Sequence, residues 1–213
     1  LLKSIKMPSL LNQSSFTDSF IYVSKVSNES LKQITDVWKR DHKLYGSTGK
    51  VGSGKYSPHI KQSTDISIFP KNFDNAFPQY MKELNILIRQ YTLKYKELNE
   101  NTRHLAISEP INIQKYKKGE GFFVPHFERA NEEVMSRVLV FMTYLTNNPG
   151  CGTYFKYQDV ATDAIKGNTV IWPAEFTHVH NGLVDFNKEK LIITGWVNIV
   201  PPPQKPNPLP GQE

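Results

Sequence analysis

KLIITGWVNIV, residues 190–200, is the stretch on which the fold turns. Its apolar, β-branched character marks a strand, and period-two alternation sorts its side chains onto two faces. Lys190, Ile192, Thr194, Trp196 and Asn198 share one face, and Leu191, Ile193, Val197 and Ile199 share the other. An otherwise greasy strand that turns Lys190 and Thr194 inward together needs a reason, because burying an unpaired ammonium is costly. A bound carboxylate satisfies it.

Outward from this strand, the whole second half of the chain reads as β. From residue 104 the runs LAISEPINIQKY, GFFVPHFE, RVLVFMTYLT, GTYFKY, TVIWPA and FTHVHN are separated by turn signals, the spacing of a sandwich or barrel. The first half differs. FIYVSKV (20–26) reads as a short strand. A helix follows from Ser27 or Asn28, with Leu31, Ile34, Val37 and Trp38 at helical spacing and Gly46 at its end. GSTGKVGSGKYSPH (46–59) reads as a mobile loop and a candidate lid. QYMKELNILIRQYTLKYKELNE (79–100) is a second amphipathic helix. The expected architecture is α+β, mainly β: a double-stranded β-helix (jelly roll) core with N-terminal helices packed on one sheet. One domain spans 1–200, helical to about 103 and jelly roll over about 104–200. PPPQKPNPLPGQE (201–213) is an extended Pro-rich tail, because so many of its positions lack an N–H.

Bulk properties narrow the class. The chain has 213 residues, 38% hydrophobic and 22% charged, which suits one globular domain with a sizeable core. No apolar run approaches a membrane span, and LLKSIKMPSLL lacks the long apolar stretch of a secretory signal. The single cysteine, Cys151, has no intrachain partner, so a reducing, cytoplasmic compartment is expected. The net charge of +6 is scattered along the chain, which reads as a solvated surface; neither nucleic acid nor membrane is an expected partner. A short form of this kind suits a microbial or phage enzyme. Oligomeric state is not legible.

The chemistry lies in two short motifs. VPHFERA places His126 and Glu128 on one strand face, and FTHVHNG places His178 and His180 on another. Two histidines and one carboxylate on one side of a metal leave its other positions open, as non-haem iron(II) oxygenases require. At this level the choice between His178 and His180 is open. So is a cupin-like metalloprotein using His126, Glu128, His178 and His180 without 2-oxoglutarate, or a catalytically silent peptide-binding module.

Taken together, these residues resemble the prolyl 4-hydroxylase-like branch of the Fe(II)/2-oxoglutarate dioxygenases over roughly residues 104–200. INIQKYKKGEGFFVPHFE looks like the family's approach to its His-x-Asp pair, with Tyr116 upstream. RVLVFMTYLTN resembles the next core strand, carrying Tyr144, and CGTYF resembles the GGxTxF segment. KGNTVIWPAEFTHVHNG resembles the distal-histidine segment, and Lys190, Thr194 and Trp196 match K-x-x-x-T-x-W. The phase of that last motif selects His180 over His178.

The resemblance implies iron(II) on His126, Glu128 and His180. It implies 2-oxoglutarate with its distal carboxylate on Lys190, hydrogen-bonded by Thr194 and by Tyr116 or Tyr144, and O2 as second co-substrate, with ascorbate as a reductant. The products are succinate, CO2 and a hydroxylated C–H bond, that of a prolyl residue in a peptide or protein. His178, Trp196 and Trp172 are left to support the ligands or meet substrate, Trp172 beside an open groove. One departure stands out: Glu128 occupies a position where the family has Asp. A retained carboxylate favours hydroxylation over halogenation.

Overall fold

The computed structural model describes residues 9–11, 15–16, 19–52, 54–101 and 104–202. Most of the Pro-rich tail, 203–213, lies outside them. Helix α1 (Asn28–Tyr45) buries Leu31, Ile34, Val37 and Trp38, the stripe that its spacing dictates. Ser27 caps it, its hydroxyl accepting the Ser30 N–H. Gly46 ends it by close approach rather than by a left-handed turn: its φ is −64°, and a Cβ there would lie 2.3 Å from the His42 carbonyl oxygen. A short α2 (Phe73–Ala76) precedes α3 (Pro78–Lys94), which starts on a proline that needs no N–H partner. The second predicted helix breaks at Tyr95 and resumes as α4 (Lys96–Asn101).

The strands in chain order are β1 (Ser9–Leu11), β2 (Ser15–Phe16), β3 (Tyr22–Lys25), β4 (Ser47–Thr48), β5 (Thr64–Ile68), β6 (Leu105–Ala106), β7 (Ile111–Tyr116), β8 (Arg137–Tyr144), β9 (Thr153–Phe155), β10 (Val160–Thr162), β11 (Asn168–Pro173), β12 (His180–Gly182) and β13 (Lys190–Ile199). They form two sheets. The larger runs β2-β3-β11-β8-β13-β7-β5-β4, with β6 also on β13; the smaller runs β1-β10-β9-β12. The architecture is α+β, mainly β, a jelly roll with helices on one sheet. Ile34 and Val37 of α1 and Leu84 and Leu87 of α3 pack with Phe141, Ile171, Ile193 and Val197 from the outer face of the larger sheet. A second apolar cluster fills the space between the sheets, where Phe155 meets Val140, Tyr144, Trp172 and Ile192. The alternation of KLIITGWVNIV thus divides two cores: odd positions face the helices and even positions face the jelly-roll interior.

Three local expectations change. LAISEPINIQKY is two strands, interrupted before Pro110, which cannot donate to a ladder. GFFVPHFE is extended but belongs to no strand; it is tied by isolated bridges, Phe122 to Lys61 and His126 to His180. FTHVHN is a 3-10 turn, Phe176–His178, followed by β12, so His178 and His180 do not share a strand face. Strand β5, which pairs with β7, carries no sequence expectation because Thr64, Asp65 and Ser67 dilute its alternation.

Candidate active site

β13 lies between β8 and β7, and its even-numbered residues Lys190, Ile192, Thr194 and Trp196 line a cavity of about 600 Å³ between the sheets. His126, Glu128 and His180 stand on the same cavity wall. The two histidines come from different segments but face each other across a reciprocal backbone pair: each N–H donates to the other's carbonyl at 2.9 Å.

Their donor atoms converge. Glu128 Oε1 lies 3.4 Å from His126 Nε2 and 3.5 Å from His180 Nε2. All three ligand atoms fall within 4.8 Å of one another. The other ring nitrogens fix the tautomers. His126 Nδ1 bonds the Val124 carbonyl at 3.0 Å, and His180 Nδ1 bonds the His178 carbonyl at 2.9 Å. A carbonyl only accepts, so both Nδ1 atoms carry the proton and both Nε2 lone pairs point inward. Burial pushes the His180 imidazole below its usual value, against the pull of Glu128, which keeps it neutral. Burial alone would raise the Glu128 carboxyl; its bonds to His126 and His180 outweigh that and hold it well below the usual carboxylate range. Two lone pairs and a carboxylate aimed at one point repel unless a cation lies between them. Ligands about 2.1 Å from a first-row metal sit about 3 Å apart at right angles, close to the spacing here. The residues fit a metal bound on one face.

The second oxygen of Glu128 is held separately. Trp196 Nε1 donates to Oε2 at 3.1 Å, and Arg137 Nη1 stands 3.6 Å from it. The Arg137 guanidinium lies flat over the Trp196 ring, 3.6 Å from its centroid, and is gripped from behind by both oxygens of Glu109. Sequence reading missed Arg137 and Glu109. Strand alternation puts Arg137 on the helix-facing side of β8, but the register slips at Val197/Asn198 and Val138 is left over. That bulge brings Arg137 round to the cavity, an event with no sequence signature.

The other predicted residues separate. Lys190 is buried and its ammonium donates to two neutral carbonyls, Cys151 at 2.9 Å and Leu183 at 2.6 Å. Burial brings its pKa down to about 8. Thr194 donates to the Phe141 carbonyl at 2.9 Å, so donating to a ligand requires that bond to switch. The Tyr144 hydroxyl sits between those of Thr153 (2.8 Å) and Thr162 (2.7 Å). Tyr116 donates to Gln114 Oε1, beside a buried pair that the sequence did not flag, Lys61 on Asp65 at 2.6 Å.

His178 points away from the cluster. Its Nε2 bonds the Ser19 carbonyl and its Nδ1 bonds the Thr177 hydroxyl, so both nitrogens are engaged. What it offers His180 is its backbone carbonyl. Trp172 is fully buried rather than beside an open groove; it packs edge-to-face behind His180, ring centroids 5.0 Å apart.

No protein-family model matches the sequence, and no curated protein matches it either. Solved structures share its fold. A prolyl hydroxylase from Trichoplax adhaerens, solved with a hypoxia inducible factor oxygen degradation domain peptide fragment, superposes with a TM-score of 0.67 at 14% identity, over 85% of this chain and 84% of that one. A Pseudomonas putida prolyl-4-hydroxylase gives 0.64 at 15% identity, over 86% and 95%. The viral collagen prolyl hydroxylase of Paramecium Bursaria Chlorella virus-1, in its 2OG complex, gives 0.59 at 16%, over 84% and 97%. The chain has the fold of these prolyl hydroxylases.

Proposed function

We propose that this protein is an Fe(II)- and 2-oxoglutarate-dependent dioxygenase of the prolyl 4-hydroxylase type, acting on a proline-containing peptide or protein. The observation that carries the reading is the convergence of His126 Nε2, Glu128 Oε1 and His180 Nε2 on one point of a cavity that also buries Lys190. The shared fold and the peptide-bound Trichoplax structure support it. Bound iron supplies the redox chemistry that couples decarboxylation of 2-oxoglutarate, giving succinate and CO2, to transfer of one O2 oxygen into a substrate C–H bond. Ascorbate serves as reductant.

The protein's own residues bind and orient. Lys190 has three N–H donors, two of them on backbone carbonyls, and the third receives the distal carboxylate of the co-substrate. That carboxylate supplies the countercharge that neither carbonyl provides. Tyr116 and Tyr144 line the same cavity and, with Ile192, keep water from the reacting end. The hairpin from Ser47 to Gly52 forms the cavity's rim and acts as its lid.

The test is turnover of 2-oxoglutarate with iron(II) against proline peptides, lysine peptides and free amino acids, read as succinate and as a one-oxygen mass gain. Turnover is expected with a proline peptide. It is lost, by about a hundredfold or more, in His126→Ala and His180→Ala, which remove a ligand. His178→Ala keeps the iron requirement. Absence of succinate from every substrate, with iron bound, rejects the reading.

A further inference from the structure

Glu128 has a longer arm than the Asp that the resemblance leads one to expect, and a flexible carboxylate beside a metal can chelate through both oxygens. A second bond from Oε2 would close a coordination position that a co-substrate needs. The structure shows Oε2 already engaged, by the Trp196 indole at 3.1 Å and within 3.6 Å of the Arg137 guanidinium. Neither group is loose. Arg137 is stacked on Trp196 and fixed by Glu109, and Glu109 in turn accepts from Asn198 Nδ2 at 2.7 Å. The bulge opposite Val197/Asn198 aims Arg137 at this spot.

We propose that Trp196 and Arg137 are positioning residues that confine Glu128 to one metal-facing oxygen and so hold open the place of 2-oxoglutarate. This rests on the metal-centre reading above. Trp196 touches neither metal nor co-substrate in this role; it acts through Glu128. An indole N–H and a guanidinium are suited to it because both donate and neither can itself ligate a metal.

The experiment uses the full chain loaded with cobalt(II), whose visible spectrum reports coordination number and geometry without turnover. Wild type, Trp196→Phe and Arg137→Met are each titrated with cobalt and then, anaerobically, with 2-oxoglutarate by calorimetry. Freed Oε2 is expected to change the cobalt spectrum of Trp196→Phe before 2-oxoglutarate is added. The 2-oxoglutarate Kd is expected to rise about tenfold or more, because a charge-assisted contact that set the open position is gone. Arg137→Met moves both readouts in the same direction by less, and carries the test if the tryptophan variant does not fold. A wild-type spectrum or a wild-type 2-oxoglutarate Kd in a folded variant overturns the proposal. Wild-type protein that takes up no cobalt overturns the metal-centre reading itself, and this inference with it.

Discussion

Lys190 is where the site answers most directly to pH. Its ammonium is buried against two carbonyls, and burial brings its pKa down to about 8. A carboxylate prefers the charged form, so binding of 2-oxoglutarate draws a proton onto Lys190 wherever the free site has lost it. Affinity is therefore full below that pKa and falls as pH rises through about 8. Calorimetry at several pH values checks this; an affinity flat across the range removes Lys190 from the role. Lys190→Ala is expected to weaken 2-oxoglutarate binding roughly 10- to 100-fold, the size of one charge-assisted bond, with cobalt affinity unchanged. Lys190 was legible from sequence because an unbroken central strand keeps its period. Arg137, at the slipped end of a neighbouring strand, and His178, in a 3-10 turn, show where that period fails.

Among the elements, β13 separates stability from binding within three consecutive residues. Thr194 and Trp196 face the cavity, and Gly195 between them faces the helices. A Cβ at Gly195 would lie 2.6 Å from Phe141 Cζ and 3.2 Å from Ile111 Cγ1, inside the packed helix–sheet core. Gly195→Ala is expected to cost about 1–3 kcal/mol through overpacking, a melting-temperature drop of several degrees, while 2-oxoglutarate affinity is retained. Thermal denaturation beside calorimetry checks both halves. Helix α1 and the core strands were readable from their periods. The approach to Glu128 was not: Pro125 and scattered bridges leave it extended without a ladder, and only tertiary partners fix its path.

For the molecule as a whole, the Gly-rich stretch after α1 proves more ordered than its composition suggests. Ser47 and Thr48 pair with β5, the Gly49 N–H bonds the Ser63 carbonyl at 2.9 Å, and Val51 bridges Lys55. Lys50 and Lys55 remain exposed. If this hairpin closes over bound substrate, trypsin cleavage at those lysines slows in the presence of metal, 2-oxoglutarate and peptide together. An unchanged rate makes it a plain connection. The jelly roll places its two sheets; the hairpin and the Gly121–Arg129 passage are fastened to them by only a few bonds each.

The reciprocal pairing of His126 with His180 matters beyond holding two imidazoles apart. It is a bridge of two hydrogen bonds between a strand and a passage that has no ladder of its own, so by itself it opens easily. An ion gripped by both rings rivets the same two residues from the side-chain end. Their backbone protons then become a clock for occupancy: deuterium exchange at the His126 and His180 amides slows when metal is added, with no substrate present. Exchange indifferent to metal would mean that the two rings do not share an ion.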